Sequence, residues 1–279
     1  MAHLTKRQHY VPVTYLESWA GSSGRVALHD LEGNKCIHTA PENALAISWY
    51  YEEDPTSPDN RVEAILSAAE GKAATSLRKL IAASSAFSPQ EVARNLNRTL
   101  TVEDETALKE FACYQYLRVP GAIEQKAFEL QTTSLTEEEK RRGLNPGYFT
   151  ESGFDYVLPR FRSMNSIFYV SEGTEFITSD WPCFDISDSD FAPALGEEVG
   201  VNPGVVTYCP LAPRITVLLV HREFSGGTKK APRGSAMPMT NQLVRNQNAL
   251  VIQRAVRWVV ASKDEPFIFK AAGKRVQES

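Results

Sequence analysis

One long amphipathic stripe constrains the fold of this chain more than any other feature. Val62, Ile65, Leu66, Ala69, Ala73, Leu77 and Leu80 recur three and four residues apart, the repeat that places side chains on one face of an α-helix. The spacing predicts a helix from about Asn60 to Ala83. Asp59 or Asn60 would cap its first free N–H groups. An apolar face of that length must be covered by other elements, so the rest of the chain has to supply a surface for it.

The segments on either side have a readable order. Arg25–Asp30 and Lys35–Thr39 flank Leu31-Glu32-Gly33-Asn34; Gly33 and Asn34 tolerate positive φ, so the pattern predicts a β-hairpin. Ala46–Glu53 reads as a third strand, ended by the turn cluster Asp54–Asn60. After the stripe, Ser88 and Glu91 have the spacing of a capping box. A helix opens at Thr101–Glu105 and runs through Phe111 toward Arg118; Pro120 interrupts it, and helix resumes to Thr132. Thr136–Arg142 and Phe154–Met164 also read as helical. The pattern then turns β-rich. Ile167–Glu172 and Glu175–Ser179 read as a hairpin about Gly173-Thr174, and Val206–Cys209 and Ile215–Val220 as two more strands. Asp185–Val205 is a long acidic loop and His221–Pro238 a polar one. A closing helix starts at Thr240 or Asn241 and extends to about Ser262, followed by a short edge strand at Phe267–Phe269. An N-terminal β-hairpin, a helical middle, a β-rich segment and a long closing helix make an α+β chain, since alternating βα units are missing. The expected organisation is one domain over residues 1–270 and a tail over 271–279.

Composition narrows the function classes. With 42% apolar residues and no apolar run long enough to span a bilayer, the chain reads as globular. Polar residues His3 to His9 interrupt any secretory core, and Cys36, Cys113, Cys183 and Cys209 lie far apart without a CxxC pair. Reduced thiols in a cytoplasm, with no membrane association, are the expectation. The net charge of −4 disfavours simple coating of nucleic acid. The charge is uneven, however: Ser171–Glu198 holds eight acidic residues and no Lys or Arg, and Arg214–Lys263 holds nine Lys or Arg and one acid. A solvated acidic loop and a basic helix face account for this best; the sharper alternative is that the basic C-terminal third meets an anionic or nucleic-acid ligand. The glycine-rich nucleotide loops, the GxSxG elbow and HExxH are absent.

Candidate site residues come from polar groups on apolar faces. Glu63 and Glu70 fall roughly 20° apart in helical projection, both at the margin of the stripe. Gln115 projects among Leu108, Phe111 and Ala112, with Arg118 beside Phe111. Gln247 and Arg254 project among the apolar residues of the closing helix. Burying such groups without partners costs a few kcal/mol, so each needs a network or a cavity. Thr178-Ser179-Asp180-Trp181-Pro182 ends a strand with a hydroxyl and a carboxylate, a common location for functional groups. His9 lies in the dense stretch Lys6–Trp19, near a terminus where chains usually fray.

These motifs together resemble the domain of unknown function 4238 family, which is mostly bacterial. Gln8-His9-Tyr10-Val11-Pro12 with Tyr15-Leu16 is similar to its N-terminal signature. Glu63 and Glu70 match its acidic helix, and Phe111-Ala112 with Gln115, Arg118 and Pro120 its central helix. Phe176-Ile177-Thr178-Ser179-Asp180-Trp181-Pro182 resembles its strand-end motif. Pro210-Leu211 with Pro213, and Asn241, complete the match. The resemblance implies no reaction. It does select the residues that the projections single out, and it points to a shared polar cluster of His9, Glu63, Glu70, Gln115, Arg118, Ser179, Asp180 and Asn241.

Two functions fit these residues. In one, the chain is a hydrolase or nuclease-like phosphodiesterase. His9, Arg118 and Asp180 are catalytic, Glu63, Glu70, Gln115, Ser179 and Asn241 bind ligand, and a divalent cation such as magnesium could sit among the carboxylates. In the other, the chain is a non-catalytic ligand- or partner-binding module and the same cluster is structural.

Overall fold

The computed structural model describes residues 4–52, 54–120, 151–186, 206–220 and 235–278. The fold begins with strand β1 (Arg7–His9), a single turn of helix α1 (Val13–Leu16) and a 3-10 turn at Glu17–Trp19. The expected hairpin follows as β2 (Val26–Asp30) and β3 (Lys35–Thr39), paired from Val26 opposite Thr39 to Asp30 opposite Lys35. Asn34 takes the positive φ of 46° that the turn needs. Gly33 has a different reason to be glycine: a Cβ there would meet Asp30 Oδ2 at 2.7 Å, while its N–H donates to Asp30 Oδ1 at 3.1 Å.

The predicted third strand shrinks to β4 (Ala46–Ser48) and pairs with β1 in a separate two-stranded sheet. Leu45 and Trp49, immediately before and after β4, have φ of 51° and 56°. Bulky residues avoid that region at a cost of about 1–2 kcal/mol each. Bonds to the N-terminal segment hold both in place: Tyr10 N–H to the Leu45 carbonyl and Trp49 N–H to the Lys6 carbonyl, at 3.2 and 2.8 Å.

Helix α2 (Arg61–Ala86) carries the stripe, with Leu66, Ala73, Leu77 and Leu80 buried and Ile65 outside it at 37% exposure. Of the two expected caps Asp59 serves: its Oδ1 accepts the N–H of Arg61, the first helical residue, at 3.0 Å. Asn60 sits in the left-handed region and its side chain caps nothing. Glu52 also reaches across from the preceding loop and accepts the N–H groups of Asp59 and Asn60. Helices α3 (Pro89–Thr99) and α4 (Val102–Leu117) both open on complete capping boxes, Ser88 with Glu91 and Thr101 with Asp104. Helix α5 (Glu151–Ser163) packs on α4, which lies along α2. The helices expected near Thr132 and at Thr136–Arg142 lie outside the described residues.

The remaining strands complete two larger sheets. They are β5 (Asn165–Ser171), β6 (Thr178–Ser179), β7 (Phe184–Asp185), β8 (Val206–Ala212), β9 (Ile215–Val220), β10 (Ser235–Met239) and β11 (Trp258–Ala261). The order is β10-β5-β9-β8-β7 in one sheet and β3-β2-β11-β6 in the other. The chain is therefore α+β, with the N-terminal strands and a C-terminal helix as expected. Four local expectations fail. Ile167–Glu172 and Glu175–Ser179 are not a hairpin, because β5 and β6 belong to different sheets. Residues 235–239, read as loop, form the edge strand β10, where Pro238 lacks only an outward N–H. Helix α6 (Asn241–Arg254) stops before Ser262, and the rest of the predicted helix becomes β11, an interior strand. Phe267–Phe269 is helical as well, opening α7 (Phe267–Glu278). Both sheets and α2, α4 and α6 contribute buried apolar residues to one core. Within the described residues no helix is long and apolar enough to cross a membrane.

Candidate functional site

Arg118 follows the last turn of α4 and is the second largest side chain in the fully buried core, 1% exposed. Its guanidinium is engaged from two sides. Nη1 donates to Glu70 Oε1 on α2 at 2.6 Å. With the Gln115 amide turned so that its oxygen faces the guanidinium, that oxygen accepts from Nε at 3.1 Å and Nη2 at 2.6 Å. This explains why a glutamine and an arginine sit on the apolar face of α4: each satisfies the other one turn away. Tyr51 also bonds the guanidinium through its side chain, and its hydroxyl donates to the His9 carbonyl at 2.9 Å. Tyr50 donates to the Arg118 carbonyl at 2.9 Å.

The open rim of this network is acidic. Glu63 and Glu70 are half-buried on one face of α2, as the projection predicts. Burial, then the neighbouring Glu70 charge, push the Glu63 carboxyl up to about 7, against the pull of Arg118. His9 is half-buried, and Nε2 lies 3.1 Å from the Glu42 carbonyl. Donation to that carbonyl puts the proton on Nε2 and leaves Nδ1 as the basic nitrogen. Desolvation holds the ring below its usual pKa, so His9 is neutral at pH 7, within the fields of Glu70 and Arg118.

The expected set of eight residues therefore divides. His9, Glu63, Glu70, Gln115 and Arg118 come together. Ser179, Asp180 and Asn241 are engaged elsewhere. The Asp180 carboxylate accepts the N–H groups of Val256, Arg257 and Trp258 at 2.9, 2.7 and 2.9 Å. Burial raises its carboxyl to about 6 despite those three donors. Ser179 Oγ closes a local turn with the Trp181 N–H and carbonyl. Asn241 accepts the Thr174 N–H at 2.6 Å, which pins the 173–174 turn to the start of α6. The basic block is not one continuous face either. Arg214 donates to the Ser84 carbonyl at the C-terminal end of α2, and Arg257 forms a two-pronged pair with Asp30, both bonds 2.9 Å. Residues 221–234 of that block, and most of the acidic loop, lie outside the described residues.

Two residues that sequence reasoning passed over are central. Tyr51, read only as a strand aromatic, links Arg118 to the His9 backbone. Glu52 accepts from the buried Gln8 amide at 2.7 Å while capping α2; Gln8 in turn accepts the Tyr51 N–H at 2.8 Å. A clue was present: an acid directly after Trp49-Tyr50-Tyr51 can remain there only if donors converge on it.

Neither the curated proteins nor the solved structures contain a match to this chain. The sequence pattern described as protein of unknown function (DUF4238) matches residues 7–166 and 149–265. These matches span the site and both larger sheets, and the chain belongs to that family.

Proposed function

We propose that the chain is a non-catalytic binding module in which the Arg118 network is structural and the acidic rim of Glu63 and Glu70 takes up a cationic group. The observation that carries this reading is the burial of Arg118. At 1% exposure, with its nitrogens engaged by Glu70 and Gln115, it has to abandon those partners before it can hold a phosphate. Glu63 is in the opposite situation. Its carboxyl is raised by burial and by a like charge, so a ligand ammonium or guanidinium placed there would lower the cost of ionising it. The test is a thermal-shift and calorimetric titration with lysine amide and arginine amide, set against inorganic phosphate. The expected result is stabilisation by the cations alone, lost in Glu63→Gln. Stabilisation by phosphate, lost in Arg118→Lys, would overturn the reading.

A hydrolase or phosphodiesterase reading draws support from one specific feature. Near neutral pH a carboxyl that holds its proton, Glu63, and an imidazole that has lost one, His9, both lie within the field of Glu70 and Arg118, and general acid–base chemistry uses groups in those two states. Glu63 would donate a proton, His9 would accept one, and a cation such as magnesium would sit at the rim. Asp180 would have no part in it while its oxygens serve the 256–258 backbone. Cleavage of bis-p-nitrophenyl phosphate that disappears in a His9→Ala variant of unchanged melting temperature would favour this alternative. Both readings place the protein in a bacterial cytoplasm, in keeping with its four free cysteines.

A further inference from the structure

A second group of chemically capable side chains sits at the β2–β3 hairpin and shares no residue with the Arg118 network. His29 on β2 and Cys36 on β3 are direct cross-strand partners. Asp264 lies in the turn after β11, the strand on the other side of β2, where Val259 pairs with His29. One donor atom from each of the three residues lies within 4.8 Å of the other two. His29 is completely buried, Cys36 half-buried, and the Asp264 side chain 57% exposed. The group is thus anchored in the sheet at one end and open to solvent at the other.

We propose that His29 Nε2, Cys36 Sγ and an Asp264 carboxylate oxygen bind one zinc ion. The donor set argues for that metal. Imidazole, thiol and carboxylate together suit a borderline-soft ion, whereas magnesium and calcium prefer oxygen throughout. Tetrahedral zinc with ordinary bond lengths sets its ligand atoms roughly 3.3–3.7 Å apart. His29 Nε2 and Asp264 Oδ1 are already 3.4 Å apart, and the Cys36 sulfur lies within 4.8 Å of both. Contraction by up to roughly an ångström would bring the loosest pair to that range, and Asp264, on an exposed turn, is the ligand free to move.

The surroundings fit ligation. Nε2 accepts the Glu265 N–H at 3.1 Å, so its lone pair faces the turn that carries Asp264; the ion would take the place of that donor. Nδ1 is buried without a well-formed hydrogen bond. The backbone carbonyls of Ala27 and Val259, which act on the ring, can hold the Nδ1 proton once Nε2 is a ligand. The Phe269 ring, 5.4 Å from the imidazole, forms one wall. On binding, the Cys36 S–H bond breaks, its proton passes to solvent and a sulfur–zinc bond forms. Three protein ligands leave a fourth position for water or another donor.

The experiment uses the full chain stripped of metal and titrated with cobalt(II), followed by zinc competition. The expected result is one equivalent of cobalt, marked by a thiolate-to-cobalt charge-transfer band that zinc removes. Cys36→Ser should abolish the band, since the other three cysteines are buried and remain in place. Asp264→Asn, a change at an exposed side chain that leaves the fold intact, should weaken zinc at least about tenfold. Glu63→Gln should change nothing, which separates this site from the acidic rim. Absence of the band, its persistence in Cys36→Ser, or unchanged zinc affinity in Asp264→Asn would overturn the proposal.

Discussion

Arg118 illustrates how one buried charge is made tolerable. Its guanidinium has a carboxylate on one side and an amide oxygen on the other, so the desolvation cost is met by charge-assisted bonds. Arg118→Met should lower stability by about 3 kcal/mol in urea unfolding, because Gln115 and Glu70 lose their partner. Adding Glu70→Leu should recover part of the loss; no recovery would mean that packing, not charge, sets the cost. Glu63 gives a pH signature. Its folded carboxyl titrates near 7 rather than at the ordinary 4.5, so the folded state favours the protonated form. That contribution is complete below pH ~4.5 and is lost as pH rises through about 7. Glu63→Gln should therefore flatten the stability profile between those values, and an unchanged profile would remove Glu63 from the account. Asp30 acts in the other direction. Its bonds with Arg257 hold it down to about 2, so its contribution is present at neutral pH and lost as pH falls through that value.

At the scale of elements, the joints explain more than the elements themselves. Tyr15, in the single turn of α1, bonds Thr178 Oγ1 in β6 and the Pro210 carbonyl in β8, both at 2.7 Å. It thereby ties the four-stranded sheet to the five-stranded one. Pro210 sits at a β-bulge where β7 no longer runs alongside, so its missing N–H costs nothing and its carbonyl is free for Tyr15. Tyr15→Phe should cost about 1–3 kcal/mol by leaving buried polar atoms unpaired. Trp19 adds a bond from Nε1 to the Phe176 carbonyl at 3.0 Å. Asp180 marks the α6–β11 joint. Three backbone N–H groups converge on it just where the helix has ended, so Asp180→Ala should melt that joint and expose β11 amides to hydrogen exchange, while Asp180→Asn should do so less. The helical repeat of Val244, Val251 and Ala255 carries on to Trp258 and hides this stop in sequence. The β-formers Val256, Trp258, Val259 and Val260 were a local counter-signal, but a remote carboxylate decides between them.

At the scale of the whole molecule, the N-terminal segment is a keystone. Gln8 connects to the start of α2 through Glu52, Tyr15 reaches β6 and β8, Trp19 reaches the segment between β5 and β6, and β1 holds β4 with its two strained flanks. Deleting residues before Tyr15 should give a protein with a markedly lower melting temperature and no binding at the acidic rim; a truncated chain with both unchanged would refute this role. The sequence alone determined the long helix, the Ser88–Glu91 capping box, the β2–β3 hairpin and the α+β class, because each rests on local periodicity or on turn and cap chemistry within a few residues. It also marked Glu63, Glu70, Gln115 and Arg118, since polar groups on an apolar helix face must find partners. Only the tertiary structure decided that β5 and β6 part into different sheets, that β11 is an interior strand, and that Asp180 and Asn241 brace joints while Tyr51 links Arg118 to the His9 backbone. Strand pairing and polar pairing are satisfied by residues far away in the chain, and local propensity carries no record of which distant donor or acceptor will be present.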